Sequence, residues 1–307
     1  VTRLLNSIPY GVSIGCNGPH TPYTARNLPS AFQHPEVVSS ELQKKVEADR
    51  VLGPFADRPL PNLRTSGLGV ASKKNGKWRV ILHLSAPHGS SVNDGILKAE
   101  FSLHYSSVDD AVGLLHTYGT GAIMAKIDLK STFRMVPVRP ADWDLLGMFW
   151  GGMYYVDTCL PFGLRSAPCL FNRFADALHW VFATNYHIDA VHYLDDFLLV
   201  GAADQQQCTS SVQVTLSVCE RLGIPVAFEK LEGPSTQITF LEIVLDSEAR
   251  RLSLPQDKLR DILQMVQSWL GRHKATKREL LSLIGKLSFA AKVVPAGRLF
   301  LRRLIDL

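Results

Sequence analysis

Val191-His192-Tyr193-Leu194-Asp195-Asp196-Phe197-Leu198-Leu199-Val200 is the stretch whose reading decides the fold. Two adjacent carboxylates sit inside an apolar run. Tyr, Phe and Val favour strands and an Asp pair makes a tight turn, so the stretch reads as strand, turn, strand. Two like charges in apolar surroundings are costly unless something positive offsets them. A divalent metal would do so, and so would plain solvent at an exposed hairpin tip. Taken alone, an Asp-Asp in a surface turn is the commoner case.

The neighbouring segments bear on that choice. Ala122 to Phe133 reads as a buried strand that delivers one carboxylate, Asp128, at its end. A lone Asp there is usually a cap; its value depends on whether it meets Asp195 in space. From Leu68 to Leu82, Asn75-Gly76 between two β-prone runs signals a hairpin. Lys73, Lys74, Lys77 and Arg79 cluster around its tip, where they either grip phosphates or keep an edge hairpin soluble. Cys159 to Pro168 is a Pro/Gly-rich loop containing Phe162, Gly163 and Arg165. It enters a strongly apolar helix, and Pro168 suits the first turn.

The remaining chain supplies a frame. Residues 1 to about 40 read as loop or a loose arm. A helix is expected over Glu36 to Val51, stopped by Gly53-Pro54. Further helices are expected over Ser106 to Tyr118 and Val212 to Leu222. Ile224 to Glu229 reads as a strand ending at Lys230, and Ile238 to Leu245 as a strand pair. The C-terminal part reads as helical: a stripe of Leu259, Ile262, Leu263, Val266, Trp269 and Leu270, then a capping box of Thr276 with Glu279, then a segment after Pro295 with Arg298, Arg302 and Arg303 near one face.

The 307 residues are 46% hydrophobic and 20% charged, enough for two or three subdomains with a substantial core. The longest uncharged apolar stretch, Leu145 to Val156, is short of the about 20 residues a bilayer needs and reads as two strands turning at Gly151-Gly152. No membrane partner is expected. No secretory signal is visible, and a start at Val1 fits a piece of something longer. The five cysteines form no C-x-x-C pair and have no zinc-like spacing. They predict reduced thiols in an intracellular protein, cytoplasmic or nuclear. From Arg250 onward there are 13 Lys and Arg against 4 Asp and Glu, a balance of +9 that leaves −4 for the first 249 residues. That asymmetry suggests a polyanion held at one end, or a solvated helical surface.

The order of these segments resembles reverse transcriptases over roughly residues 60 to 307. The hallmarks are Tyr193-Leu194-Asp195-Asp196, Asp128 with Phe133 five later, the loop from Leu160 to Pro168, the run from Lys73 to Arg79, and Lys230. The wording of Ser91 to Asp94, and of Glu279 to Phe289 through Gly297, is most similar to DIRS-like, tyrosine-recombinase retroelements. The resemblance implies an α+β right-hand polymerase with a ferredoxin-like palm. Residues 1–54 would form an arm, 55–107 and 136–165 fingers, 108–135 and 166–246 palm, and 247–307 a helical thumb.

It further implies an RNA-directed DNA polymerase that adds dNTPs to a DNA primer on an RNA or DNA template. Two Mg²⁺ ions, with Mn²⁺ as a substitute, would be held by Asp128, Asp195 and Asp196. Lys230 would act as general acid. Lys73 or Lys74 with Arg79 would hold the β- and γ-phosphates. Phe133 would be a steric gate against a 2′-hydroxyl, and Phe162 and Gly163 would line the nucleotide pocket. Arg165, Tyr193 and Arg298 would meet template or primer. Ribonuclease H and recombinase regions of a parent polyprotein would be further partners. Two departures stand out: His83 where many relatives have Asp, and Glu242 where many have Gly. They keep a second reading open, a catalytically degenerate retroelement-derived domain that binds nucleic acid. An RNA-directed RNA polymerase is a third, disfavoured by Phe133.

Overall fold

The β-prone run around Asp195-Asp196 folds as a hairpin. Its strands span Asp189–Tyr193 and Asp196–Gly201, with Leu194 and Asp195 as the turn. Leu194 has φ +54°, the sign that two-residue hairpin turns demand, here met without glycine. The computed structural model describes residues 10–72, 76, 78–272, 274–294 and 296–306. In chain order its strands are β1 (Tyr23–Thr24), β2 (Val51–Phe55), β3 (Arg64–Thr65), β4 (Gly67–Ser72), β5 (Trp78–His83), β6 (Ile123–Asp128), β7 (Gly147–Trp150), β8 (Met153–Asp157), β9 (Asp189–Tyr193), β10 (Asp196–Gly201), β11 (Glu232–Ser235), β12 (Gln237–Phe240), β13 (Ile243–Asp246) and β14 (Arg251–Ser253). Its helices are α1 (Pro29–Gln33), α2 (Pro35–Glu47), α3 (Val108–Tyr118), α4 (Ala167–Tyr186), α5 (Gln205–Arg221), α6 (Gln256–Trp269), α7 (Lys277–Ala290) and α8 (Gly297–Ile305). None is long and apolar enough, over the described residues, to cross a membrane.

The chain divides into two compact units. The first comprises Val1–Tyr105, Leu129–Val181 and Cys219–Val226. Its five-stranded sheet has the order β1-β3-β7-β8-β2, and β4 pairs with β5 as a separate hairpin. The turn from β7 to β8 falls at Gly151-Gly152, as the sequence predicts. The stretch before them differs from expectation. Pro35 and Glu36 start α2 early, it ends at Glu47, and Val51–Phe55 is an edge strand on β8 rather than the end of a helix. Val51, Leu52 and Phe55 are β-prone, and pairing with β8 overrides the helical pattern. Gly53 and Pro54 form an irregularity in that ladder. Gly53 has φ +125°, and a Cβ there would lie 2.8 Å from the Tyr154 carbonyl oxygen. The lysines Lys73, Lys74 and Lys77, with Asn75, lie outside the described residues; the strands on either side of them pair as predicted.

The second unit comprises Ser106–Asp128, Phe182–Val218 and Ala227–Leu307. Its central sheet has the order β11-β6-β10-β9, every neighbour antiparallel. Along the chain β6, α4, β9, β10, α5 and β11 follow the βαββαβ pattern of ferredoxin-like sheets. The fourth strand is not the one expected. Residues 224–229 contribute only a bridge from Val226 to Leu129 and a 3₁₀ turn over Phe228–Lys230, and Glu232–Ser235 joins β6 instead. Helix α3 opens on a capping box in which the Ser107 backbone N–H and hydroxyl both donate to Asp110, at 2.7 and 2.9 Å. Helix α7 opens on the predicted Thr276–Glu279 box.

Period-two alternation sends Met124, Leu198 and Val200 to one face of the central sheet. There they pack with Val108 and Ala111 of α3 and with Ile238, Phe240, Ile243 and Leu245 of the β12-β13-β14 sheet. Phe240 is fully buried. Phe240→Ala should lower unfolding stability by about 3–5 kcal/mol, because the surroundings of a deleted core ring collapse only partly. Urea denaturation checks this; a loss under about 1 kcal/mol would show that Phe240 is not part of a close-packed core.

Candidate active site

Strand register builds the acidic cluster. β6 and β10 pair so that Asp128 lies opposite Asp196, and β9 pairs with β10 so that Tyr193 lies opposite Asp196. Directly opposed residues on antiparallel strands bring their side chains together on one face. Asp195 sits in the turn immediately before Asp196. Asp196 registers all of this: its pKa is pushed from the ordinary 3.8 up to about 6. Burial is the main cause. The charges of Asp128 and Asp195 and a hydrogen bond with the Asp128 carboxyl act in the same direction, and the Lys126 ammonium acts against them. Asp128, distant in the sequence, is therefore brought to the adjacent pair Asp195 and Asp196.

Two cations face them. The Ala227 N–H donates to the Asp128 carbonyl at 2.8 Å, and the 3₁₀ turn that follows carries Lys230 back towards β6. Lys230 Nζ donates to both Asp128 carboxylate oxygens at 2.9 Å. That bond raises the lysine pKa; burial opposes it, and the charges of Asp128, Asp196 and Asp195 add to it. Lys126 pairs with Glu232 across the ladder and donates to the Thr239 carbonyl at 3.1 Å. Sequence reasoning passed over Lys126. The signal was its position two residues before Asp128, which puts both on one strand face.

An all-carboxylate cluster is the donor chemistry of a hard divalent cation. Among the described residues no group of three or more His, Cys, Asp or Glu side chains forms a ready metal cage. Lys230 supplies positive charge at Asp128.

The candidate nucleotide residues that are described lie in the first unit. Phe133 stands in a 3₁₀ turn over Thr132–Met135, its ring centroid 5.2 Å from that of Phe162 and 5.8 Å from that of Phe171. The Arg79 guanidinium lies over the Phe162 ring at 5.6 Å. Gly163 has φ +97°, and a Cβ there would lie 2.9 Å from the Leu82 carbonyl oxygen, so a larger residue would strike backbone. The Arg165 guanidinium donates to the Ile96 carbonyl at 2.9 Å. In the second unit Tyr193 packs on the core, and Arg298 is exposed on α8. Lys73 and Lys74 lie outside the described residues.

The two departures can also be located. The His83 ring carries a buried Nδ1 with no hydrogen-bond partner among the described residues. Leu241 and Glu242 form the tip between β12 and β13, both with positive φ, +46° and +66°. The Glu242 carboxylate pairs with Lys258 on α6, and the Lys258 ammonium lies 5.2 Å from the Phe289 ring centroid on α7.

Solved structures of a foamy viral protease-reverse transcriptase share this fold. Bound to RNA/DNA hybrid, that protein matches 97% of this chain over 36% of its own length, with a TM-score of 0.73 and 18% identity. A dRH form bound to double-stranded DNA matches 98% of this chain over 47% of its own length, with a TM-score of 0.71 and 18% identity. That likeness defines the fold class, an α+β polymerase fold. The family model "Reverse transcriptase (RNA-dependent DNA polymerase)" matches residues 71–245, more than half of the chain, and the chain belongs to that family.

Among curated relatives, the retrovirus-related Pol polyprotein from transposon 412 of Drosophila melanogaster is 24% identical over 246 residues, 79% of this chain. The Gag-Pro-Pol polyprotein of Mason-Pfizer monkey virus is 27% identical over 183 residues, 56% of this chain. The enzymatic polyprotein of Cauliflower mosaic virus (strain Strasbourg) is 24% identical over 225 residues, 73% of this chain. The chain spans only 18%, 10% and 30% of these proteins' lengths.

The raised Asp196 pKa has a measurable consequence. Folded Asp196 keeps its proton to about pH 6, whereas in the unfolded chain it ionises near 3.8. Between those values the folded state binds more protons, so its stability falls as pH rises. In chelator, denaturation midpoints should decline from about pH 4 to about pH 6, and Asp196→Asn should flatten that slope. An unchanged slope in Asp196→Asn would assign the effect to another group.

Proposed function

We propose that the chain is the polymerase domain of a retroelement-encoded RNA-directed DNA polymerase, which adds dNTPs to a DNA primer 3′-hydroxyl on an RNA or DNA template. The observation that carries this is the meeting of Asp128, Asp195 and Asp196 within a chain of the reverse transcriptase family. Solved relatives of the fold hold double-stranded DNA or RNA/DNA hybrid, which supports the same partners here.

Asp128 and Asp195 would hold the divalent cations, with Asp196 adding charge. Two Mg²⁺ ions, or Mn²⁺ in their place, would supply activation of the primer hydroxyl and neutralisation of the leaving pyrophosphate. Lys230, whose side chain is 59% exposed and whose ammonium Asp128 keeps charged, would give a proton to pyrophosphate. Arg79 with Lys73 or Lys74 would grip the triphosphate, its guanidinium offering a fork that suits phosphate oxygens. The Phe133 ring would exclude a 2′-hydroxyl. Phe162 and Gly163 would line the nucleotide pocket, and Arg165, Tyr193 and Arg298 would meet template or primer. The arm, fingers, palm and thumb boundaries given above belong to this proposal. So do a DIRS-like origin, which the wording of residues 91–94 and 279–297 supports, an intracellular setting, and ribonuclease H and recombinase regions of the parent polyprotein.

A degenerate, nucleic-acid-binding copy is the second reading, favoured by the charged Glu242 at a positive-φ hairpin tip. Primer extension on an RNA template with dNTPs and Mg²⁺ separates the two. The wild type should extend, and Asp195→Asn should lose at least about a hundredfold in rate. Binding without extension would select the degenerate reading. Phe133→Ala should raise ribonucleotide incorporation about tenfold or more relative to dNTPs. An unchanged ratio would remove the gate role from Phe133.

A further inference from the structure

The loop from Cys159 to Arg165 is short of regular structure, yet its backbone is held from both ends by buried side chains. Asn93 is 4% exposed. Its Nδ2 donates to the Gly163 carbonyl at 2.8 Å and to the Ser85 hydroxyl at 2.8 Å. Its Oδ1 accepts the Arg165 N–H at 2.8 Å. One amide thus uses both donors and its acceptor to fix the peptide units on either side of Leu164, which is itself buried.

Arg134 is 6% exposed and does the same at the loop's entry. Its Nη1 donates to the carbonyls of Cys159 and Leu160 at 3.3 and 3.5 Å, and its Nη2 donates to the Arg50 carbonyl at 3.2 Å. Asp157, buried beside it, accepts the guanidinium charge with Nη1 2.6 Å from Oδ1. Burial pushes the Asp157 pKa up, and the charges of Arg134 and Lys45 pull against that. Between the two anchors Phe162 stands 43% exposed, with Phe133 and Arg79 against its ring.

We propose that Asn93 and Arg134 are positioning residues that clamp the two ends of the Cys159–Arg165 loop and so preset Phe162 and Gly163 for the incoming nucleotide. The assignment of the nucleotide to this loop rests on the function proposed above; the clamp itself does not. Neither residue touches the reacting atoms. Their loss should raise KM more than it lowers kcat, since Phe162 and Gly163 would contribute binding made equally in the ground and transition states.

The test is made on the whole chain with Asn93→Ala and Asn93→Asp. The aspartate keeps the acceptor for the Arg165 N–H and loses both donors. Arg134→Ala would strand Asp157 in the interior and is less informative; Arg134→Lys keeps the charge but loses the fork. Extension of oligo(dT) on poly(rA) with dTTP gives KM and kcat, and amide hydrogen exchange reports the 159–165 segment. Expected for all three variants are a KM for dTTP raised roughly tenfold or more, kcat within about threefold, and faster exchange confined to that segment. Wild-type exchange with an unmoved KM overturns the clamp, as does a fall in kcat alone. Should one Asn93 variant not fold, the other and Arg134→Lys decide. A wild type that does not extend the primer would overturn the proposed function, and the exchange measurement would then decide the clamp by itself.

Discussion

Like charges half out of water repel, and the second unit is arranged around that repulsion. The Asp128–Asp196 pairing is a consequence of register, and register here is not free to slip. Both faces of this sheet are buried, Met124, Leu198 and Val200 on one and Ala125, Ile127, Phe197 and Leu199 on the other, so a one-residue slip of β6 would mismatch both packed layers and send Asp128 to the face opposite Asp196. The apolar face of the sheet therefore enforces a juxtaposition that the carboxylates themselves oppose. Burial first, and the neighbouring carboxylates second, raise the Asp196 pKa, and Lys230 answers the charge on Asp128 with its two-oxygen grip.

How much of this was legible in the sequence depends on where the signal lives. The hairpin at Tyr193 to Asp196, the strand that ends at Asp128, the turn at Gly151-Gly152 and the Thr276 capping box are local patterns, and the chain folds as they indicate. The fourth strand of the central sheet was not legible. Glu232-Gly233-Pro234-Ser235 has no β-propensity, and only the ladder it finds on β6 makes it a strand. The same contest moved the end of the expected Glu36 to Val51 helix, which stops at Glu47 so that Val51 can open the strand paired with β8. For the site, alternation places Asp128 and Lys126 together, but nothing in the spacing of Asn93 or Arg134 announces hydrogen bonds to a loop some 25 to 70 residues away. Such contacts are made by backbone carbonyls and amides, which every residue carries.

The two units use charge differently. Beneath the β4–β5 hairpin Arg134 and Asp157 are buried and matched, and serve geometry. Around Asp128 the charges are unbalanced, with Asp128, Asp195, Asp196 and the Lys126-paired Glu232 against two ammonium groups, and only partly shielded from water. A surplus of negative charge held by a stiff sheet is an environment that recruits cations and shapes chemistry. The basic segment from Arg250 onward, with its 13 Lys and Arg, belongs to the same unit, and its charge is of the sign that a polyphosphate chain would require.

The tip between β12 and β13 has its own consequence. Leu241 and Glu242 both adopt left-handed backbone without being glycine, which costs conformational energy, and the exposed Glu242 carboxylate is anchored by Lys258. An ion pair with one partner 59% exposed to solvent is open to screening by dissolved electrolyte. The set of this tip is thus tuned by the same ionic strength that governs how tightly a basic surface holds nucleic acid, so concentrated salt would slacken both together.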